Sequence, residues 1–263
     1  MLVELKKHLH KSPKRIMLDF EASAIQAFGR AFPDATIKGC YFHFTQALWR
    51  NIQSKGLSKL YNNNNNVRFH LKIYKSIGFV PINNIDLASD FFENSLYHLI
   101  TTESLPKTAI AELVQYHNYF KGTWLNNSMY PRKLWNHYES FTDRTNNNNE
   151  GFNNGLQQFI GVIHTSLYQL IDDLKAIETR VTASYINLKN GVNLVKKQKK
   201  IYKNRDQKIS DLKQELKYSS ISLKSFMVQT SYHYSYDKKV DSQLSLEINF
   251  KNPLFDNFFF FSQ

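Results

Sequence analysis

Residues 15–56, "RIMLDFEASAIQAFGRAFPDATIKGCYFHFTQALWRNIQSKG", leave few folds open. "RIMLD" is a short apolar run closed by an acid, which reads as a strand ending at Asp19. "EASAIQAFGRAF" then places Ala24, Ile25, Phe28 and Phe32 on one helical face until Pro33 stops it. "ATIKGC" alternates enough to be a second strand, and "YFHFTQALWRNIQSKG" returns to helical spacing through Phe44, Leu48 and Ile52, with Gly56 just past its end. Strand, helix, strand, helix predicts a parallel pair joined by a crossover. In open sheets of that kind, ligands sit beyond the carboxyl ends of the strands, where Asp19 is.

Beyond residue 67 the strand signals fade. Segments 86–100, 107–120 and 132–141 read as helices with aromatic-rich faces, joined by short loops at Pro81, Pro106 and Pro131. A helix is predicted to begin near Asn149 or Glu150 and to carry Phe152, Leu156, Phe159 and Ile160 inward, and a long one to run from Leu167 to about Leu188. Segment 192–217 is helical but mostly charged, so it reads as an exposed arm. Two asparagine runs, "YNNNNN" at 61–66 and "NNNN" at 146–149, look alike. The first reads as a tolerated loop.

The 42% hydrophobic fraction, with 15 Tyr and 20 Phe, is ample for a buried core. A lone cysteine, Cys40, excludes an internal disulfide, and with no apolar leader at the N-terminus the expected setting is an intracellular, reducing one. No apolar run reaches the roughly 18 residues of a membrane span. The net charge of +12 is uneven: Lys189 to Lys217 carries ten Lys or Arg against Asp206, Asp211 and Glu215. Clustered positive charge suits a polyanion such as DNA or RNA, and a solvated basic face without a partner is the alternative.

Two carboxylates stand out by position, Asp19 at a strand end and Glu150 at a helix start. Acids so placed suit a hard divalent ion. Alternatively Asp19 merely ends a strand, and Glu150 favours the positive end of a helix. Cys40 and His43 form a C-x-x-H pair, half of a zinc site, whose remaining ligands would come from acids or from His70, His98, His117, His137 or His164. A buried, hydrogen-bonded Cys and His without metal is the other reading.

Taken together, "IMLDFEASAIQAFGRAFPDATIKGCYFHFTQALWRNIQSKGL" resembles the central block of Mutator-like (MULE) transposases, with their D-F-E, F-P, I-x-G-C-x-F-H-x-x-Q-A and K-x-G-L elements. "FVP" at 79–81, "YPRKLWNHY" at 130–138, "RTNNNNEGFNNGL" at 144–156 and "HTSLYQLI" at 164–171 look like further landmarks of that family in the same order. The resemblance spans about residues 14–175. It implies an RNase H-like α/β fold with an inserted all-helical domain. It also implies DDE chemistry, in which two Asp and one Glu bind two Mg²⁺ or Mn²⁺ ions for DNA strand cleavage and transfer.

Asp19 matches the second Asp of that triad and Glu150 the Glu. Cys40 and His43 match the C-x-x-H, with a structural or zinc-binding role, and Arg144 and Asn147 fall in the R-T-N-N segment that shapes the loop or meets phosphate. Only "MLVELKKHLHKSPK" precedes the first strand. The first Asp and the first strands of the fold are therefore expected to be missing, and strand transfer by this polypeptide alone is not expected. The resulting division is 1–60 as the second half of an RNase H-like core, 61–143 as the helical insertion, 144–190 as the Glu helix and its successor, and 191–263 as a basic arm and irregular tail. DNA is the expected partner, through Arg144, Lys196, Lys197, Lys199 and Lys200. Homo-oligomers are compatible, a membrane or small-molecule partner is not expected, and the implied location is the nucleus. The alternative function is a non-enzymatic DNA-binding remnant of a transposase.

Overall fold

The computed structural model describes residues 2–140, 144–145, 147–161, 166–193 and 200–233, with only the backbone at 147–150. A short helix α1 (Leu2–Lys7) leads to β1 (Arg15–Leu18), α2 (Ala22–Ala31), β2 (Thr36–Gly39) and α3 (Tyr41–Ser54). β1 and β2 pair in parallel, with Ile16 opposite Ile37 and Leu18 opposite Gly39. They are the only sheet among the described residues. Each run of the sequence pattern thus forms the element its period predicts. Gly56 closes α3 at φ +72, a conformation that costs a residue without Cβ little.

α4 (Ser58–Asn63), α5 (Asn65–Ile73), α6 (Ile85–Thr102), α7 (Lys107–Phe120) and α8 (Arg132–Trp135) follow. The 61–66 asparagines are not a loop. Asn64 ends α4 and caps α5, its Oδ1 accepting from the amides of Asn66 and Val67 at 2.9 Å each, while its side-chain amide and that of Asn66 donate to Glu103. The helix predicted over 132–141 stops at Trp135, because Asn136 turns extended and its amide donates to the Val80 carbonyl at 2.7 Å. Pro106 and Pro131 sit just ahead of α7 and α8, where a missing N–H costs nothing.

The core is continuous across the expected 60/61 boundary. Phe44, Leu48 and Ile52 of α3 share one hydrophobic cluster with Leu71, Tyr74, Phe79, Phe92, Leu113, Phe120 and Trp135. Helices 61–135 thus share one hydrophobic cluster with the apolar stripe of α3. Aromatic pairs dominate: Phe44 stacks on Trp135 at 5.7 Å, and Tyr74 on Phe92 at 4.2 Å.

Two compact units emerge, one of residues 1–145 with 205 onward and one of 146–204. In the second, α9 (Asn147–Ile160) and α10 (Leu167–Lys189) start and stop close to expectation, Ser166 capping α10 through the amide of Gln169. Phe152, expected inward, is exposed. The basic arm also departs from expectation. From Arg205 onward, α11 (Lys200–Lys217) belongs to the first unit and buries Ile209, Leu212 and Lys213; α12 (Leu223–Tyr232), which the sequence reading missed, adds Phe226 and Met227 to the core. The charged majority of α11 hid a narrow apolar stripe. The four phenylalanines at 258–261 lie outside the described residues.

Candidate metal-ligating site

The register of the two strands builds the site. Leu18 lies opposite Gly39, and the Cys40 amide donates to the Leu18 carbonyl at 2.7 Å, so the residues that follow the strands, Asp19 and Cys40, emerge side by side. α3 begins at the next residue, and His43, three positions after Cys40, returns to the same side after one turn. Oδ1 of Asp19 lies 3.0 Å from Nδ1 of His43. The ligand atoms of Asp19, Cys40 and His43 all fall within 4.8 Å of one another. Cys40 is buried, His43 half-buried and Asp19 exposed.

Several contacts fix this corner. Gly39 carries no side chain because a Cβ there would stand 2.3 Å from Cζ of Phe20. The Phe20 ring packs edge-on against Trp124 at 4.9 Å and Tyr130 at 5.7 Å, and the Tyr130 hydroxyl donates to the Phe20 carbonyl at 3.0 Å. Nε2 of His137, a buried side chain, donates to the Gly39 carbonyl at 2.8 Å. That leaves its Nδ1 without a hydrogen on it, and burial pushes the ring's pKa down to about 3 despite the carbonyl's opposing effect. Beside the site a cleft of about 500 Å³ runs along α3, lined by Phe20, His43, Gln46, Ala47, Arg50 and Asn51 among others.

This donor set does not fit Mg²⁺. That ion demands oxygen ligands near octahedral geometry, whereas the group supplies one carboxylate oxygen, one imidazole nitrogen and one sulfur. Glu150 lies in the first turn of α9, in the other unit, and its side chain is outside the description.

Arg144 was expected to shape a loop or meet phosphate, and its surroundings suit only the first. It is 4% exposed, ion-paired to Asp206, with its guanidinium 5.3 Å from the Phe79 ring. Its own carbonyl accepts from the Tyr41 amide at 2.7 Å, which ties Arg144 to the first residue of α3. Lys213 completes the clasp, its ammonium donating to the carbonyls of His137, Tyr138 and Ser140. Burial, then Arg144 nearby, pulls its pKa down to about 7. No sequence motif marks Lys213 or Asp206; the only signal is their helical spacing from Ile209 and Leu212.

Of the remaining basic residues, Lys200 is exposed at the start of α11, while Lys196, Lys197 and Lys199 lie outside the described residues. Among the described residues, no other histidine joins the group of Asp19, Cys40 and His43. His70 faces Ser95 at 3.0 Å, His117 faces the Tyr74 hydroxyl at 2.8 Å, His98 is on α6, and His164 lies outside the description. Comparison with models of protein families, with curated proteins and with solved structures finds no match to this chain.

Proposed function

We propose that this chain is a DNA-binding relative of Mutator-like transposases. One observation carries the reading. The D-F-E and C-x-x-H elements, separate in the sequence, meet at one corner, where Asp19, Cys40 and His43 lie within 4.8 Å of one another. Motifs that belong to one active-site ancestry should converge in this way. The parallel β1, α2, β2, α3 unit, with Asp19 beyond a strand's carboxyl end, is compatible with the incomplete α/β fold the resemblance implies and supports the reading. The net charge of +12 supplies the long-range attraction to phosphate, and a nuclear location goes with that partner.

In this reading the chain binds DNA without cutting it. Among the described residues the group around Asp19 holds a single carboxylate, and two-metal phosphoryl transfer needs several to clamp both ions. No helix among the described residues is long and apolar enough to cross a membrane.

The test combines a mobility shift on random-sequence duplex with a nicking assay on supercoiled plasmid in Mg²⁺ or Mn²⁺. Retardation at low salt without nicking is expected. Absence of retardation overturns the DNA reading; nicking that disappears in Asp19→Asn overturns the claim of inactivity.

A further inference from the structure

The geometry points to a site for one zinc-class divalent ion, held by a carboxylate oxygen of Asp19, the Cys40 thiolate and an imidazole nitrogen of His43. This inference rests on the site's geometry and stands whether or not the chain binds DNA.

The donor chemistry decides the ion. Carboxylate, imidazole and thiolate together are the ligand types zinc accepts, with sulfur selecting against Mg²⁺ and Ca²⁺. Bonds of roughly 2.0 to 2.3 Å in a tetrahedral shell set neighbouring ligand atoms about 3.3 to 3.8 Å apart. Here Asp19 Oδ1 and His43 Nδ1 stand 3.0 Å apart, and all three ligand atoms lie within 4.8 Å. Side-chain shifts on the order of an ångström bring the set to bonding distance.

The scaffold is preorganised where it must be and open where it can be. Cys40 is fully buried, and its amide is held by the Leu18 carbonyl, which anchors the backbone that carries the sulfur. Asp19, with half its side chain exposed, closes over the ion from solvent. Three protein ligands leave the fourth position to water on the exposed side of the site, the pattern of an open zinc centre more than of a closed structural one. Binding displaces the Cys40 thiol proton to solvent as the sulfur–metal bond forms, so no oxidant or reductant is needed. An ion here would link the end of β1, the end of β2 and the first turn of α3.

The experiment uses the full chain without an affinity tag, dialysed against Zn²⁺ and then against metal-free buffer, with metal content measured by mass spectrometry. Parallel samples are titrated with Co²⁺. About one equivalent of zinc is expected, and with Co²⁺ a thiolate-to-metal band in the near ultraviolet with visible bands of four-coordinate geometry. Cys40→Ser should lose the ultraviolet band. Asp19→Asn and His43→Gln should weaken Co²⁺ binding by about tenfold or more. A wild-type protein that retains no zinc, or a Co²⁺ complex without the thiolate band, overturns the inference with no variant needed. Zinc uptake unchanged in a folded Cys40→Ser protein overturns it as well. A mobility shift on the same samples keeps the two readings apart, since a protein that retards DNA but takes up no zinc refutes only this one.

Discussion

The absent side chain of Gly39 and the ring of Phe20 occupy the same space: a Cβ on Gly39 would lie 2.3 Å from Cζ of Phe20. This close approach sets the corner from which Asp19 and Cys40 emerge. Gly39→Ala must therefore push Phe20 off Trp124 and Tyr130, which is overpacking in a filled corner. A loss of about 1 to 3 kcal/mol in urea unfolding is expected, with altered tryptophan fluorescence. Wild-type stability in that variant would mean that the corner is looser than described.

Asn64 is the one asparagine of its run that caps a helix, with Oδ1 on two amides and its own amide on Glu103. Asn64→Ala should cost about 1 kcal/mol, whereas Asn63→Ala, exposed at the end of α4, should stay within about 0.5 kcal/mol of wild type. Equal effects at the two positions would return the run to the status of a passive loop. Chemical denaturation of the pair is sufficient to decide.

The contrast between these asparagines shows how far the sequence is legible. Periodicity marked β1, α2, β2, α3, α6, α7 and α10 closely, and in α3, α6 and α7 the spaced apolar residues form a buried face. It also placed Asp19 and Cys40 at strand ends. It could not show that they meet, since that depends on the register of Leu18 against Gly39, a long-range fact. α11 and α12 were misread or missed for a related reason. In α11 the buried stripe is two apolar residues and a lysine among charges, and Lys213 is tolerated inside only because three carbonyls of a distant segment receive it. Local composition carries no trace of such a partner.

Arg144 and Asp206 make a second test of that clasp. Asp206→Ala leaves the Arg144 guanidinium, 4% exposed, without its carboxylate. Breaking a buried pair from one side costs about 3 to 5 kcal/mol, and the partial exposure of Asp206 places the expectation at the lower end. The double variant Arg144→Met/Asp206→Leu should recover much of the loss, because no isolated charge remains. A double variant as unstable as the sum of the singles would contradict a direct pair.

Acid should weaken the fold before most carboxylates titrate. Burial pushes the pKa values of His70 and His137 down to about 3 and that of His233 to about 4, from 6.5. Below 6.5 the unfolded chain takes up protons that the native state refuses. Stability is therefore full above pH 6.5 and falls as pH drops toward 3, by up to about 1.4 kcal/mol per pH unit for each such histidine. The carboxyls of Asp86, Glu93 and Glu103, held below their usual range by hydrogen bonds from Arg132, Lys121 and Asn64 respectively, act in the same direction at lower pH. Urea midpoints at pH 7 and pH 5 should differ clearly; identical midpoints would show that the buried rings are protonated in place.

The DNA reading is most directly tested by the salt dependence of binding to a random-sequence duplex, followed by fluorescence anisotropy for the wild type and for K196Q/K197Q/K199Q/K200Q. The expected result is a linear fall of log affinity with log salt, indifferent to sequence, and a slope shallower by about three to four in the variant, since each phosphate contact contributes about 0.9. No binding at low salt, or a slope that the four substitutions leave unchanged, would contradict the account.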